Sequence, residues 1–181
     1  MLKSKIKFTY KDYKNLPESE TKRYELLEGE LVMVPSPSTY HQRISRNLGS
    51  QLWDFVRRNT LGEIFYAPCD IILGDDIFQP DIIYISKEHL YIVAEQEIRG
   101  APDLVIEILS PATAERDRTY KRTLYARHGV REYWIADPET KSIEVMVLGE
   151  KGFETVKLYK IGESLISPLL KGLSLDLEEI F

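Results

Sequence analysis

Asp103-Leu104-Val105-Ile106-Glu107-Ile108-Leu109 decides the fold: it is apolar on both faces apart from Glu107. Alternation of apolar and polar residues marks a strand with one wet face, whereas an unbroken apolar run marks a central strand covered on both sides. Pro111 closes this strand, a helix is predicted over about 113–128, and Gly129 stands where a left-handed C-terminal cap belongs. Beyond it, Glu132-Tyr133-Trp134-Ile135-Ala136-Asp137 reads as a strand with a turn at Asp137-Pro138. Segments 142–148 and 153–159 read as a hairpin around Gly149-Glu150-Lys151-Gly152. The alternation of Leu173, Leu175 and Leu177 predicts a final edge strand.

Toward the N-terminus, strands are predicted at about 63–67, 69–73 and 80–85, with a turn at Leu73-Gly74-Asp75-Asp76. A helix over about 40–58 sets Ile44, Leu48, Leu52, Phe55 and Val56 on one stripe, with Ser38 or Thr39 placed to cap it. Residues 23–34 form two apolar runs meeting at Glu28-Gly29, a hairpin, and residues 10–17 form a short helix stopped by Pro17. The sum is one α/β (α+β) domain over residues 1–181, a mixed central β-sheet flanked by two main helices, with N-terminal and C-terminal β-hairpins.

Composition agrees: 181 residues, 43% hydrophobic and 29% charged, suit one soluble globular domain. No apolar stretch approaches the roughly 20 residues of a membrane span. Met1 to Lys7 carries lysines without the apolar run of a signal peptide, and the single Cys69 permits no internal disulfide, so a cytoplasmic setting is expected. The net charge of -5 argues against a protein held on nucleic acid mainly by a basic surface. It leaves a nuclease open, because carboxylates gathered for a metal add negative charge that the metal offsets.

Glu107 is the most informative residue. An isolated buried charge costs several kcal/mol, so it must be protonated, paired with a cation or bound to a metal. Asp81 follows Pro80 at the head of the apolar run Asp81-Ile82-Ile83-Tyr84-Ile85. Taken alone it is a turn residue; taken with Glu107 it makes the pair of hard oxygen ligands that Mg²⁺ or Mn²⁺ prefers. Lys121, one turn after Asp117, is either the partner of Asp117 on a solvated face or a lysine that activates water and steadies charge on an attacked phosphate. Arg116, Arg118, Arg122 and Arg127 on the same helix face either solvent or phosphate. Glu25, in the first hairpin, is an exposed strand residue or an additional site group. The three histidines are scattered and neither HExxH nor CxxC occurs, which argues against zinc; neither a P-loop nor GxGxxG is present. Cys69 and Ser110 lack the surroundings of a nucleophile. His41 opens its helix and is placed to point at a substrate.

Tyr24-Glu25-Leu26-Leu27-Glu28-Gly29-Glu30-Leu31, Pro80-Asp81, Ala101-Pro102-Asp103 through Ser110-Pro111, and Lys121 through Gly129-Val130-Arg131-Glu132-Tyr133-Trp134 together resemble the Uma-two family. Its members are classed as endonucleases of the restriction-endonuclease-like PD-(D/E)XK superfamily, and the similarity runs from about residue 8 to 160. The resemblance implies Asp81 and Glu107 as Mg²⁺ ligands, DNA as substrate, and a lysine activating water for phosphodiester cleavage. It also implies Glu25 as the hairpin carboxylate of the site. The superfamily lysine falls two residues after the second acid, where this chain has Leu109, so Lys121 on the following helix is the substitute.

Three functions stay open at this point. The first is a Mg²⁺-dependent DNA endonuclease. The second is a catalytically inactive nucleic-acid-binding or mobile-element accessory protein, and the third a structural module whose carboxylates form a buried ion pair. A homodimer is expected for cutting two strands, with Tyr133, Trp134 and the C-terminal hairpin as its apolar surface.

Overall fold

A computed structural model describes residues 7–17 and 23–181. The N-terminal stretch up to residue 6, on which the signal-peptide expectation bears, lies outside the described residues. Strand β8 (Leu104–Ile108) is central, as its apolar run requires. The six-stranded sheet around it runs β11 (Gly152–Lys160), β10 (Ser142–Gly149), β9 (Glu132–Asp137), β8, β6 (Ile82–Ser86) and β3 (Gly62–Tyr66). Only β8 and β9 pair in parallel; the other neighbours are antiparallel. A parallel pair needs a crossover, and the helical segment over 114–128 supplies it.

The two faces of β8 bury different partners. Leu104, Ile106 and Ile108 pack with Ile44, Leu48, Leu52 and Val56 of α2 (Thr39–Arg58), the stripe read from the sequence. Ser38 caps this helix by accepting from the His41 N–H. Val105 and Leu109 face the opposite way, toward Leu124 and Tyr125 and a second sheet. That sheet runs β2 (Glu30–Val34), β1 (Arg23–Leu27), β5 (Asp76–Phe78), β4 (Ile71–Leu73) and β7 (Ile98–Arg99). The short helix α1 (Tyr10–Lys14) begins with a Thr9 capping box.

Three sequence expectations need correction. Strand β5 lies where a turn was expected: Gly74 and Asp75 alone make the turn, and Ile77 pairs with Leu26 of β1. The C-terminal leucines do not extend the main sheet. β13 (Ser174–Asp176) pairs with β12 (Ser164–Ile166) in a separate ribbon, and Leu165, Leu170, Leu173, Leu175 and Leu177 close over α2's side of the core. Asp176 then caps a last turn, α5 (Leu177–Ile180). Tyr133 and Trp134 are fully buried and offer nothing to a partner, although Val156 and Leu158 of the C-terminal hairpin are exposed.

The helix over 114–128 is not uniform. α3 (Ala114–Arg116) passes into a π-helical turn (Asp117–Lys121) before α4 (Arg122–His128) ends at Gly129 in the left-handed conformation. Such π turns are uncommon within α-helices and often sit at functional sites.

Asp103 pins the entry to β8. Fully buried, it accepts hydrogen bonds from the Ser86 N–H at 2.7 Å and Arg131 Nη1 at 2.9 Å, and lies 2.9 Å from His89 Nδ1. Burial opposes its charge, but the Ser86 and Arg131 donors outweigh it and hold the carboxyl below the usual aspartate range. A depressed carboxyl contributes stability that is present above its unfolded value and lost as pH falls through its folded value. Asp103→Asn should therefore cost about 2–3 kcal/mol at pH 7, and the gap to wild type should narrow below about pH 4. Urea unfolding at the two pH values checks both.

Candidate active site

The register that sets Ile82 against Ile106 carries Asp81, at the head of β6, to the end of β8 beside Glu107. The Asp81 carboxylate is fixed there by two contacts on one oxygen: Oδ2 accepts from the Ile108 N–H at 2.8 Å and lies 3.2 Å from His41 Nε2. His41 comes from the first turn of α2, so one carboxylate ties together three elements. Burial works against protonation of His41, but its bond to Asp81 prevails and raises its pKa. Its other ring nitrogen, Nδ1, is buried without a hydrogen-bond partner.

Glu107 projects from the face of β8 opposite α2. Both of its hydrogen bonds fall on Oε1, from Lys121 Nζ at 3.0 Å and Tyr125 OH at 2.7 Å. Lys121 Nζ also lies 2.9 Å from Glu25 Oε1 and 3.4 Å from Asp117 Oδ1. Glu25 accepts in addition from the Gln79 N–H at 2.9 Å. The solvated-face reading of Lys121 is thus overturned: its side chain is only 6% exposed, and its pairing with Asp117 is one part of a buried cluster. Leu109 leaves the usual lysine position apolar, and Lys121 reaches back to Glu107 from the π turn.

Burial raises the pKa of Glu107 well above the usual carboxylate range; Lys121 counters this, while Asp117, Asp81 and Glu25 add to it. Burial also raises Asp117. For Lys121 burial favours the neutral amine, but Glu107, Glu25 and Asp117 overcome it and hold the ammonium charged. Four carboxylates surround one lysine and one histidine, an arrangement with room for further positive charge.

These groups open onto a cleft of about 390 Å³, with proline walls (Pro35, Pro37, Pro111) and two arginines, Arg23 and Arg116. Arg116 alone of the helix arginines lines it. Arg118 pairs with Asp137 at 2.8 Å, Arg122 donates to the Phe153 carbonyl at 2.8 Å, and Arg127 pairs with Glu28 at 3.0 Å. The structure therefore brings Asp81, Glu107, Lys121 and Glu25 into one site.

The site also contains groups the sequence reading had not placed. Asp117, Lys121 and Tyr125 recur every fourth residue, a single helix stripe, and that spacing was a readable signal for Asp117 and Tyr125. Gln79 and the His41–Asp81 contact carried no such signal, since both depend on how distant elements dock.

The family model described as "Putative restriction endonuclease", Uma2, matches residues 10–178. The chain belongs to the Uma2 family. Its relatives include sll1609, an uncharacterized protein of Synechocystis sp. (strain ATCC 27184 / PCC 6803 / Kazusa), 26% identical over 132 residues, which are 71% of this chain and 74% of that one. A solved structure, a "putative nuclease belonging to DUF820" from Anabaena variabilis ATCC 29413, superposes with a TM-score of 0.80 at 24% identity. The match covers 96% of this chain and 97% of that one. The expected Uma2 membership and the nuclease-type mixed α+β fold are both found.

Among the described residues no three His, Cys, Asp or Glu side chains converge into a ready-made metal cage. Mg²⁺ does not need one, since it is commonly held by one or two carboxylates with several waters retained. Asp81 and Glu107 match that demand: both engage their neighbours through a single oxygen, and Asp117 Oδ1 nearby is buried with only the long Lys121 contact of 3.4 Å. Among the described residues no helix is long and apolar enough to cross a membrane.

Proposed function

We propose that the chain is a Mg²⁺-dependent DNA endonuclease that hydrolyses phosphodiester bonds in the cleft between Asp81 and Lys121, with Mn²⁺ able to substitute. One observation carries this reading: the buried Lys121 ammonium, ringed by Glu25, Glu107 and Asp117, sits in an open cleft that also holds Asp81. A purely structural ion pair needs neither the surplus of carboxylates nor the opening.

Asp81 and Glu107 are the residues that would hold the ion, which when bound supplies Lewis-acid polarisation of the phosphate and a lowered pKa for water. His41 and the Ile108 N–H occupy Asp81 Oδ2, which fixes the carboxylate and turns Oδ1 away from those contacts. Glu25, itself held by the Gln79 N–H, and Glu107 hold the Lys121 ammonium in place. The contact from Lys121 to Asp117 is the longest of its three, so that proton is the one available to water or to a non-bridging phosphate oxygen as charge accumulates. Arg23 and Arg116, at the cleft, are placed for the flanking phosphates.

Glu107→Gln tests the reading directly. Wild type should bind Mn²⁺ and nick plasmid DNA, and the variant should bind the ion about 10- to 100-fold more weakly and lose cleavage. Equal ion binding by both proteins, or none by either, overturns the proposal. Metal-independent DNA binding without cleavage would instead mark an inactive nucleic-acid-binding protein on the same fold.

A further inference from the structure

A second hollow, of about 320 Å³, lies on the other side of Asp81. Its walls are Gln42, Ser45, Arg46 and Ser50 of α2, with Tyr66 and Ala67 at the end of β3, and Asp81 is the residue it shares with the cleft. Asp81 is also its only acid, in contrast to the carboxylate-rich cleft.

Two features set this hollow apart from ordinary surface. The first is the seat of Tyr66, a residue 40% exposed. Gly49, in the interior of α2, lies directly beneath it: a Cβ there would stand 2.3 Å from Tyr66 Cε1. Glycine is the poorest helix former after proline, so its place in mid-helix keeps room for this aromatic face at the expense of helix propensity. The second is Arg46. Its guanidinium Nε and Nη2 donate to Asn47 Oδ1 at 3.2 and 2.9 Å, a neutral partner, and Asn47 is itself anchored to the Ile180 carbonyl. On the same helix Arg57 and Arg58 are both paired with Asp54, whereas among the described residues Arg46 has no carboxylate partner. A held but unneutralised cation beside an open aromatic ring fits a phosphate and a base.

We propose that the hollow of Tyr66, Arg46, Gln42 and Ser45 is a subsite for one nucleotide next to the scissile phosphate, its base stacked on Tyr66 and its phosphate on Arg46. The inference rests on the nuclease reading of the neighbouring cleft. Stacking on an aromatic ring is tolerant of base identity, so the subsite adds affinity and fixes the strand's path past Asp81 without imposing a strict sequence.

The test is the anisotropy of a fluorescein-labelled single-stranded oligonucleotide, with Ca²⁺ replacing Mg²⁺ to hold off cleavage. Tyr66→Ala should weaken binding by about 5- to 150-fold, and Tyr66→Phe should not. Gly49→Ala keeps every subsite side chain but displaces the Tyr66 ring, so it should also weaken binding, and should add nothing in the Tyr66→Ala background. Arg46→Gln should make the salt dependence shallower by roughly one phosphate contact. Gly49→Ala keeps the test valid should Tyr66→Ala fail to fold. Oligonucleotide binding by wild type that neither Tyr66→Ala nor Gly49→Ala reduces overturns the subsite and spares the nuclease reading. A wild type that neither binds the oligonucleotide nor cuts DNA overturns both.

Discussion

Lys121→Met is expected to abolish cleavage and to lower the unfolding free energy by about 3–5 kcal/mol, the range seen when one partner of a buried ion pair is removed. The size follows from what the substitution leaves behind. Glu25, Glu107 and Asp117 surround the ammonium and are themselves buried, so its loss strands three carboxyl groups away from water. Burial already drives Glu107 and Asp117 toward protonation, and Lys121 is the group restraining both. Acids whose folded pKa is raised bind protons on folding, so the variant should regain stability as the solution is acidified from neutral pH toward the usual carboxylate range. Adding Glu107→Leu should recover part of the stability and none of the activity. Urea unfolding at pH 7 and pH 5, beside a plasmid-nicking assay, separates the two consequences. Cleavage by Lys121→Met at the wild-type rate would remove the lysine from the chemistry.

Asp81→Asn should behave in the opposite way, with activity reduced by roughly 10²- to 10³-fold and stability changed by less than about 1 kcal/mol. The amide oxygen can still accept from the Ile108 N–H, which the carboxylate holds at 2.8 Å, so the junction of β6 and β8 keeps its tie. A neutral amide is a poor ligand for a hard divalent cation, and the half-maximal Mn²⁺ concentration should rise accordingly. A Mn²⁺ titration of cleavage and a thermal melt check the pair of outcomes. Unchanged metal dependence together with a large loss of stability would show Asp81 to be a structural tie alone.

Much of this arrangement was legible in the sequence because it rests on local pattern. The apolar run around Glu107 announced a doubly covered strand, and a charge within it announced a site. The stripe of Ile44, Leu48, Leu52 and Val56 announced α2 in the same way. What was not legible depends on contacts between distant residues. Strand β5 has only Ile77 and Phe78 as apolar residues, too few to stand out, and it exists because β1 and β4 flank it. The closing ribbon shows the apolar–polar alternation of an edge strand, yet it buries its leucines against a helix face rather than a sheet neighbour. His41 was visible as the opening of α2, but its contact with Asp81 is set by how that helix crosses the sheet. The division of the strands into two sheets follows from pairings such as Leu26 with Ile77 that no short window contains.

The π turn at Asp117–Lys121 makes chain length, as distinct from composition, a determinant of the site. Arg118 and Thr119 within it are exposed and make surface contacts, to Asp137 and to the Glu115 carbonyl, so replacing their side chains should be mild. Changing their number should not. A π turn holds one residue more than an α turn, so removing one residue here would close the turn toward α geometry and shift Lys121 relative to Glu107 while leaving the helix intact. Here deletion is the severe change and substitution the mild one, the reverse of what holds in the neighbouring strands.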